Sequence, residues 1–254
     1  MSRTNFSPEE LIGRWEDKRD IKNLMGRYML ARQLQQEATM YDTFWCKQAE
    51  EPALATADGW YVGEAAIRGY YESLIAIDRY KASVLYQEFP DKFQGKTEED
   101  VLGIGDYDMD PVSVPLIEVA SDGMTAKGIW YCAGSGIRVG TSGPVSWWDI
   151  GFYTCDFVRE EGQWRLWHMA YHAELSFPSG QNWAEAPRDY PALEHFEAMK
   201  DTPPVAAPTI PGPVWKRYHV RRRFVGTPRL PEPYDTFAET FSYGPECEGK
   251  ERNA

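Results

Sequence analysis

The pattern that decides the fold lies in residues 147–177, whose sequence is WWDIGFYTCDFVREEGQWRLWHMAYHAELSF. Apolar and polar residues alternate on both sides of Glu160-Glu161-Gly162, which is typical of a tight turn. Because successive side chains point to opposite faces of a strand, this pattern predicts two long antiparallel strands. Two more strands are predicted upstream, over residues 112–120 and 125–132.

The chain before these strands has helical spacing. Ser7-Pro8-Glu9-Glu10 predicts a helix start, with a hydroxyl N-cap, a proline at the first helical position and acids in the first turn. Apolar residues then recur at steps of three and four to about residue 47. A strand is predicted at residues 60–63, a second helix from 63 to about 80, and an irregular loop over 89–110. Helices followed by an antiparallel meander predict an α+β fold.

Composition narrows the class of protein. The chain has 254 residues and a net charge of −12, which would repel a phosphate backbone or an anionic bilayer, so neither nucleic acid nor membrane partners are expected. The N-terminus has no apolar signal region, so a cytoplasmic location is expected. Aromatic residues make up 14%, and such rings either fill a core or line a pocket for a flat apolar ligand. The four cysteines have no CxxC spacing, so neither a zinc site nor a disulfide framework is predicted.

The C-terminal part is rich in prolines and aromatic rings. Eight prolines between positions 203 and 233 exclude regular structure over most of it. We therefore predict two parts, an α+β body over residues 1–180 and an extended arm over residues 181–254. The arm packs either on its own body or on a neighbouring subunit, and the second alternative makes the protein a homo-oligomer, a dimer or a trimer. The basic run at 217–223 is expected to dock the arm on acidic surface.

Three stretches together resemble the SnoaL-like branch of the nuclear transport factor 2 superfamily. They are DIKNLMGRY at 20–28, GWYVG at 59–63 followed by AAIR at 65–68, and VPLIEVASDGMTAKG at 114–128 with FVREEGQWRL at 157–166. The resemblance covers roughly residues 10–178. It implies a cone-shaped α+β barrel, in which a bent antiparallel sheet and helices enclose a deep pocket. Members include dehydratases of the scytalone type, polyketide cyclases and lyases of the diarylpropane formaldehyde type, which work by acid–base chemistry without metal or cofactor; other members only bind proteins.

Two histidines on the last predicted strand are the first candidates for catalysis. His168 and His172 alternate in step with Trp164 and Leu166, whose pairing indicates the face turned towards the pocket. Histidine titrates near neutrality and can pass protons in either direction, so both are predicted to be catalytic. The alternatives are a structural pair packed under the arm, or metal ligands, for which no further His, Cys or clustered carboxylate completes a set.

Three further candidates are Tyr28, Asp110 and Arg32. The resemblance places Tyr28 where relatives carry a catalytic or binding tyrosine, although the aspartate that follows it in dehydratases is absent here. Asp110 takes the place of a histidine that relatives carry before the strand containing Pro115. It is expected to be either a base with a raised pKa or a solvated loop residue. Arg32 is expected to pair with an inner carboxylate, to bind a substrate oxygen, or to lie on the surface.

The pocket wall is predicted from strand alternation and from the aromatic residues. If Phe157 faces inward, so do Tyr153 and Asp149, which adds a phenol and a carboxylate. The other predicted wall residues, each with core packing as the alternative, are Tyr41, Trp45, Trp60, Trp130 and Tyr131.

These observations together predict a cofactor-independent lyase that acts on an aromatic small molecule, with phenolic compounds among the candidates. His168 or Asp110 would remove a proton, Tyr28 or Arg32 would stabilise the developing charge, and water or formaldehyde would leave. An isomerase or a cyclase would use the same groups. A non-catalytic binding protein would use the histidines only as hydrogen-bonding groups.

Overall fold

The fold combines helices with one curved sheet. A computed structural model describes residues 6–97, 99–140, 143–180, 202–215, 218 and 228–245. Over these ranges, three helices pack on an eight-stranded sheet that curves without closing, which confirms the predicted α+β class. None of the helices within these ranges is long and apolar enough to cross a membrane.

The helices are α1 (Pro8–Gln33), α2 (Glu37–Phe44) and α3 (Glu64–Glu88). α1 starts as predicted: the hydroxyl of Ser7 accepts a hydrogen bond from the Glu10 amide, and the Glu10 carboxylate accepts one from the Ser7 amide. The prediction of one helical stretch to residue 47 is wrong, because Gln35 has a φ of 54° and interrupts the helix. α3 extends beyond the predicted end at residue 80.

The strands are β1 (Ala53–Thr56), β2 (Gly59–Val62), β3 (Tyr107–Met109), β4 (Leu116–Val119), β5 (Thr125–Gly140), β6 (Gly143–Glu160), β7 (Gln163–Pro178) and β8 (Ile210–Pro211). Their order is β3-β5-β6-β7-β1-β2-β8, with β4 also paired to β5. Only β1 and β7 run parallel among the described pairs. The predicted hairpin is confirmed as β6 and β7, whereas β3 falls inside the predicted loop. β1 was not predicted, because its sequence ALAT shows no alternation of apolar and polar residues.

The two faces of the sheet pack against different parts of the chain. The inner face packs against the helices, and its core includes Leu54, Tyr61, Trp130, Tyr153, Cys155, Phe157, Leu166 and Met169 together with Ile21, Met25, Tyr28, Phe44 and Ile67 of the helices. The outer face carries a second, smaller cluster, formed by Ala53, Ala55, Trp60, Ala170 and Val214.

A β-bulge in β7 decides which side chains reach each face. Phe157 is paired with Leu166, but its neighbour Asp156 is paired with His168, so Trp167 is an extra residue without a partner on β6. An extra residue reverses the alternation beyond it. Leu166 therefore lies on the inner face, and His168 lies on the outer face.

Segments of the C-terminal part contact the body of the same chain at a sheet edge, at a turn and on the outer face. β8 pairs with β2, and the Ser121 amide donates to the carbonyl of Tyr234. The amide of Tyr243 donates to the carboxylate of Asp156 at 2.7 Å. The division at residue 180 and the homo-oligomer stay predictions. Apart from Tyr218, the basic run at 217–223 lies outside the described residues.

Candidate functional site

Polar side chains collect on the inner face between the helices and the sheet. α1 contributes two of them one helical turn apart, α3 contributes two neighbours, and inward-facing strand positions contribute the rest. We name this group the inner-face polar cluster; it comprises Tyr28, Arg32, Tyr70, Tyr71, Asp110, Cys132, Asp149, Tyr153 and Tyr171.

The floor of this cluster is a buried chain of hydrogen bonds. The indole Nε1 of Trp45 donates to the hydroxyl of Tyr71 at 3.1 Å, and the Tyr71 and Tyr28 hydroxyls lie 3.0 Å apart. Burial raises the pKa of Tyr28 to about 12, although the charge of Arg32 opposes that shift. Burial also raises the pKa of Tyr71. Both phenols are therefore neutral hydrogen-bond donors at neutral pH.

Arg32 is the cation of the cluster, and it is only partly buried. Burial alone would lower its pKa, but the phenols of Tyr153, Tyr70 and Tyr28 and the carboxylate of Asp110 outweigh burial and raise it. Among the described residues, none makes a hydrogen bond or an ion pair with the Arg32 guanidinium.

A glycine lets the Asp110 carboxylate approach the sheet. A Cβ at Gly134 of β5 would collide with Oδ1 of Asp110 and would lie 3.1 Å from the carbonyl oxygen of Asp149. Gly134 pairs with Asp149, so this collision lies on the inner face. Asp110 raises the pKa of Tyr153, in addition to the larger effect of burial. The carboxylate is therefore close to the phenols of the cluster, and it is not a remote loop residue.

Asp149 and Tyr171 stand beside these groups. The Tyr171 phenol lies near the carboxylate of Asp149, and its ring lies 4.7 Å from that of Tyr153. The pKa of Tyr171 is raised, first by burial and then by the charge of Asp149. Burial, with Asp110 and Asp149, also raises the pKa of Cys132 to about 12, so this thiol is protonated at neutral pH.

The structure brings together five of the predicted site residues: Tyr28, Arg32, Asp110, Asp149 and Tyr153. Trp130 is also on the inner face, where its buried ring packs edge-on against Phe157. Trp45 supports the cluster through Tyr71. Tyr41 stacks on Trp45, but its hydroxyl donates to the carbonyl of Cys46, away from the cluster.

The expectation that His168 and His172 point into the pocket is wrong, because the bulge at Trp167 turns both to the outer face. Nδ1 of His168 lies 2.9 Å from Oδ2 of Asp156. Nε2 of His172 lies 2.8 Å from the hydroxyl of Thr154, and burial lowers the pKa of His172 to about 3.

Two predicted wall residues also lie on the outer face. Trp60 is buried in the cluster with Ala170 and Val214. Tyr131 is 41% exposed and packs edge-on against Phe152. Both positions follow from strand parity, because Trp130 and Tyr61, their neighbours in sequence, are the residues that face inward.

Sequence reasoning missed Tyr70, Tyr71 and Tyr171. The first two belong to a helix whose spacing was visible, and the helical face shared with Ile67 would have indicated Tyr71. Strict alternation from Leu166 would place Tyr171 on the outer face, because the bulge cannot be recognised from alternation alone. Among the described residues, no group of three or more His, Cys, Asp or Glu side chains is placed to hold a metal ion.

Helices packed on the inner face of a curved, mainly antiparallel sheet, with a polar cluster between them, define an α+β protein of the nuclear transport factor 2 type. The chain belongs to the SnoaL-like domain family, whose model matches residues 13–170. No curated protein matches the chain significantly.

Solved structures with a similar fold include three from this class. The type 2 hexachlorocyclohexane dehydrochlorinase LinA is 15% identical, with 70% of this chain and 98% of that chain covered and a TM-score of 0.45. LinA-type3 from Novosphingobium barchaimii LL02 is 13% identical, with coverages of 67% and 96% and a TM-score of 0.45. An NTF2-like protein with a cystatin-like fold from Novosphingobium aromaticivorans is 16% identical, with coverages of 66% and 90% and a TM-score of 0.41. At these identities the likeness concerns the fold alone.

Proposed function

We propose that the inner-face polar cluster is the active site of a cofactor-independent lyase for an aromatic small molecule, such as a lignin-derived diaryl compound. The observation that carries the proposal is the meeting of a carboxylate, an arginine without a partner among the described residues, and neutral phenols on one face of the sheet. A base, a cation and proton donors are the groups that a metal-free elimination requires.

Each group has a defined role in this proposal. Asp110 removes a proton from the substrate, and Arg32 stabilises the negative charge that develops. Tyr28 and Tyr153 donate hydrogen bonds to the same oxygen. When water leaves, one of them protonates the departing hydroxyl; when formaldehyde leaves, Asp110 takes the proton of the hydroxymethyl group, the C–C bond breaks, and one of the phenols protonates the carbanion that remains. A positioned acid or base contributes a factor of ~10²–10⁴ to the rate.

Substrate access is consistent with the burial of the cluster. Arg32, Tyr70, Asp110, Asp149 and Tyr171 are partly exposed and form its rim. Tyr28, Tyr71, Trp130 and Tyr153 are buried beneath them. A flat ring placed between rim and floor would be shielded from water, which strengthens the interactions of its oxygen atoms with Arg32 and the phenols.

The test is turnover by the chelator-treated protein against lignin-type diaryl compounds, steroids and hydroxynaphthalenes, followed by mass spectrometry. We expect a product lighter by water or formaldehyde, and an Asp110→Asn variant slower by at least ~10²-fold. Asp91→Asn is the matched control, because Asp91 is exposed in the loop after α3. Equal rates for Asp110→Asn and the wild type would refute the role of Asp110. Absence of any product from a bound compound would favour a binding protein.

A further inference from the structure

The buried chain of hydrogen bonds from Trp45 to Tyr28 has one link whose direction is open. The indole Nε1 of Trp45 can only donate, and it does so to the hydroxyl of Tyr71 at 3.1 Å. The hydroxyl oxygens of Tyr71 and Tyr28 lie 3.0 Å apart, and either phenol could be the donor of this bond. The two directions leave different protons unused, so the direction decides which phenol can donate to a ligand.

The protons of the chain can be counted. Each phenol has a single proton, and Tyr71 is buried, with 3% of its surface exposed. If Tyr28 donated to Tyr71, the Tyr71 oxygen would accept two hydrogen bonds and its own proton would have no acceptor, because the described residues offer Tyr71 no other hydrogen-bond partner. A buried donor without an acceptor destabilises the fold. In the opposite direction Tyr71 uses its proton, and only the proton of Tyr28 is left over.

Two further observations favour the direction in which Tyr71 donates. A hydroxyl that accepts a hydrogen bond becomes a stronger donor through its own proton, so the N–H group of Trp45 strengthens a bond from Tyr71 to Tyr28. Two donors that meet on the Tyr71 oxygen would gain nothing of this kind. In addition, Tyr71 has the indole of Trp45 on one side and the ring of Tyr70 at a centroid distance of 5.5 Å. Tyr28 is the last group of the chain, so a ligand in the proposed active site can supply the acceptor that its proton lacks.

We propose that Trp45 and Tyr71 are positioning residues, which fix the chain in the direction from Trp45 through Tyr71 to Tyr28 and keep the Tyr28 hydroxyl as a donor to the substrate. The inference rests on the proposed function for its catalytic meaning, and it adds a requirement for the substrate. The atom that meets Tyr28 must be an acceptor, such as a carbonyl, ether or phenolate oxygen, because the Tyr28 oxygen already accepts the Tyr71 proton. An isolated phenol could rotate to serve either a donor or an acceptor, and this chain removes that choice.

The direction of the chain can be measured by neutron diffraction from crystals of the deuterated protein. We expect the deuteron of Tyr71 to lie between the two phenol oxygens, and the deuteron of Tyr28 to point away from Tyr71. A Tyr28 deuteron on the line to the Tyr71 oxygen would overturn the inference. This measurement needs neither a variant nor a ligand, so its result does not depend on the folding of a variant or on the identity of the substrate.

The effect on a ligand is measured with two neutral probes of nearly the same shape, acetophenone and α-methylstyrene, in which a methylene group replaces the carbonyl oxygen. We expect the infrared C=O stretch of isotopically labelled acetophenone to move to lower frequency on binding to the wild type. The shift should become smaller in Trp45→Phe, smaller again in Tyr71→Phe, and should vanish in Tyr28→Phe, because each step removes a donor from the chain. The preference for acetophenone over α-methylstyrene should fall about 2-fold in Trp45→Phe, the factor expected when half of the molecules hold the competent direction.

Trp164→Phe is the matched control. The Trp164 indole donates to Oδ1 of Asp17 at 3.1 Å, about three turns of α1 away from Tyr28, so its loss should leave the carbonyl frequency unchanged. A shift that is unchanged in Trp45→Phe, or that survives Tyr28→Phe, would overturn the inference. If Trp45→Phe fails to fold, Tyr71→Phe and the neutron measurement decide. Asp110→Asn should stop turnover and keep the shift, so full activity of that variant would refute the proposed function alone.

Discussion

The outer face offers the sharpest stability prediction, because it contains a sealed ion pair. Nζ of Lys127 lies 2.7 Å from Oδ1 of Asp156, and both side chains are fully buried. Oδ2 of Asp156 is contacted by Nδ1 of His168 at 2.9 Å, by the Ser242 hydroxyl at 3.0 Å and by the Tyr243 amide at 2.7 Å. One carboxylate therefore joins two strands to the C-terminal segment.

Replacing Asp156 by asparagine removes the carboxylate that lies 2.7 Å from the buried ammonium of Lys127. Four aromatic rings surround that ammonium, with Nζ 4.5 Å from the ring centroid of Phe241 and 4.6 Å from that of Phe237. Rings replace only a small part of a lost ion pair. Breaking a buried pair by removing one partner costs about 3–5 kcal/mol. For a chain of this size, that corresponds to a fall in Tm of roughly 10 °C.

The assay is urea denaturation followed by tryptophan fluorescence, for Asp156→Asn, Lys127→Met and the double variant. Lys127→Met should lower the free energy of unfolding by less than Asp156→Asn does, because Asp156 keeps its three other partners. The double variant should cost less than the sum of the two single changes. Turnover below the unfolding transition should be unaffected, since the pair lies on the face opposite the inner-face polar cluster. If Asp156→Asn lowers the free energy of unfolding by less than ~1 kcal/mol, water reaches the ion pair, and the prediction that the pair is shielded from solvent is wrong.

Three other predictions follow from single contacts. Tyr71→Phe removes the hydroxyl between Trp45 and Tyr28, so we expect turnover to fall ~10-fold with little change in KM. Tyr80→Phe, on the opposite side of the same helix, serves as the control. Gly134→Ala should displace the Asp110 carboxylate and reduce turnover by at least ~10-fold, and a stable but fully active variant would contradict the proposed place of that carboxylate. The pKa of His172 is about 3 in the folded state, below the unfolded value of ~6.5. Its neutral side chain therefore favours folding above pH ~6.5, and this contribution is lost as the pH falls towards 3. Urea titrations of His172→Gln should show a flatter pH dependence of stability than those of the wild type.

Most of the fold could be predicted from local pattern, because the long strands and the helices each repeat one period many times. The capping box at Ser7 and the turn after Glu160 are local signals, and both appear in the structure. β8 could not be predicted, because two residues are too short to show a period and form a strand only through their partner. β1, whose sequence is ALAT, has no aromatic and no alternation of apolar and polar residues that would indicate a strand.

Strand alternation also predicted part of the candidate site. Tyr153 and Asp149 keep step with Phe157 along β6, so alternation placed them correctly on the inner face. The same rule failed at His168, because the extra residue at Trp167 reverses parity without any signal in the order of apolar and polar residues. Asp110 and Arg32 meet only through tertiary packing, which no local period encodes.

The bulge also explains why the two faces use charge differently. After the bulge at Trp167, His168 lies on the outer face beside Asp156 and Lys127. Asp156 contacts both residues at hydrogen-bond distance, and the C-terminal segment covers the group through the Tyr243 amide. On the inner face, Arg32 stays partly exposed, with no partner among the described residues. A buried charge that is surrounded by its partners is unavailable to a ligand, whereas a partly exposed charge can still bind one. The histidines, which carry the stronger chemical signal in the sequence, therefore belong to the structural side of the sheet, and the arginine at the end of α1 marks the side on which we expect chemistry.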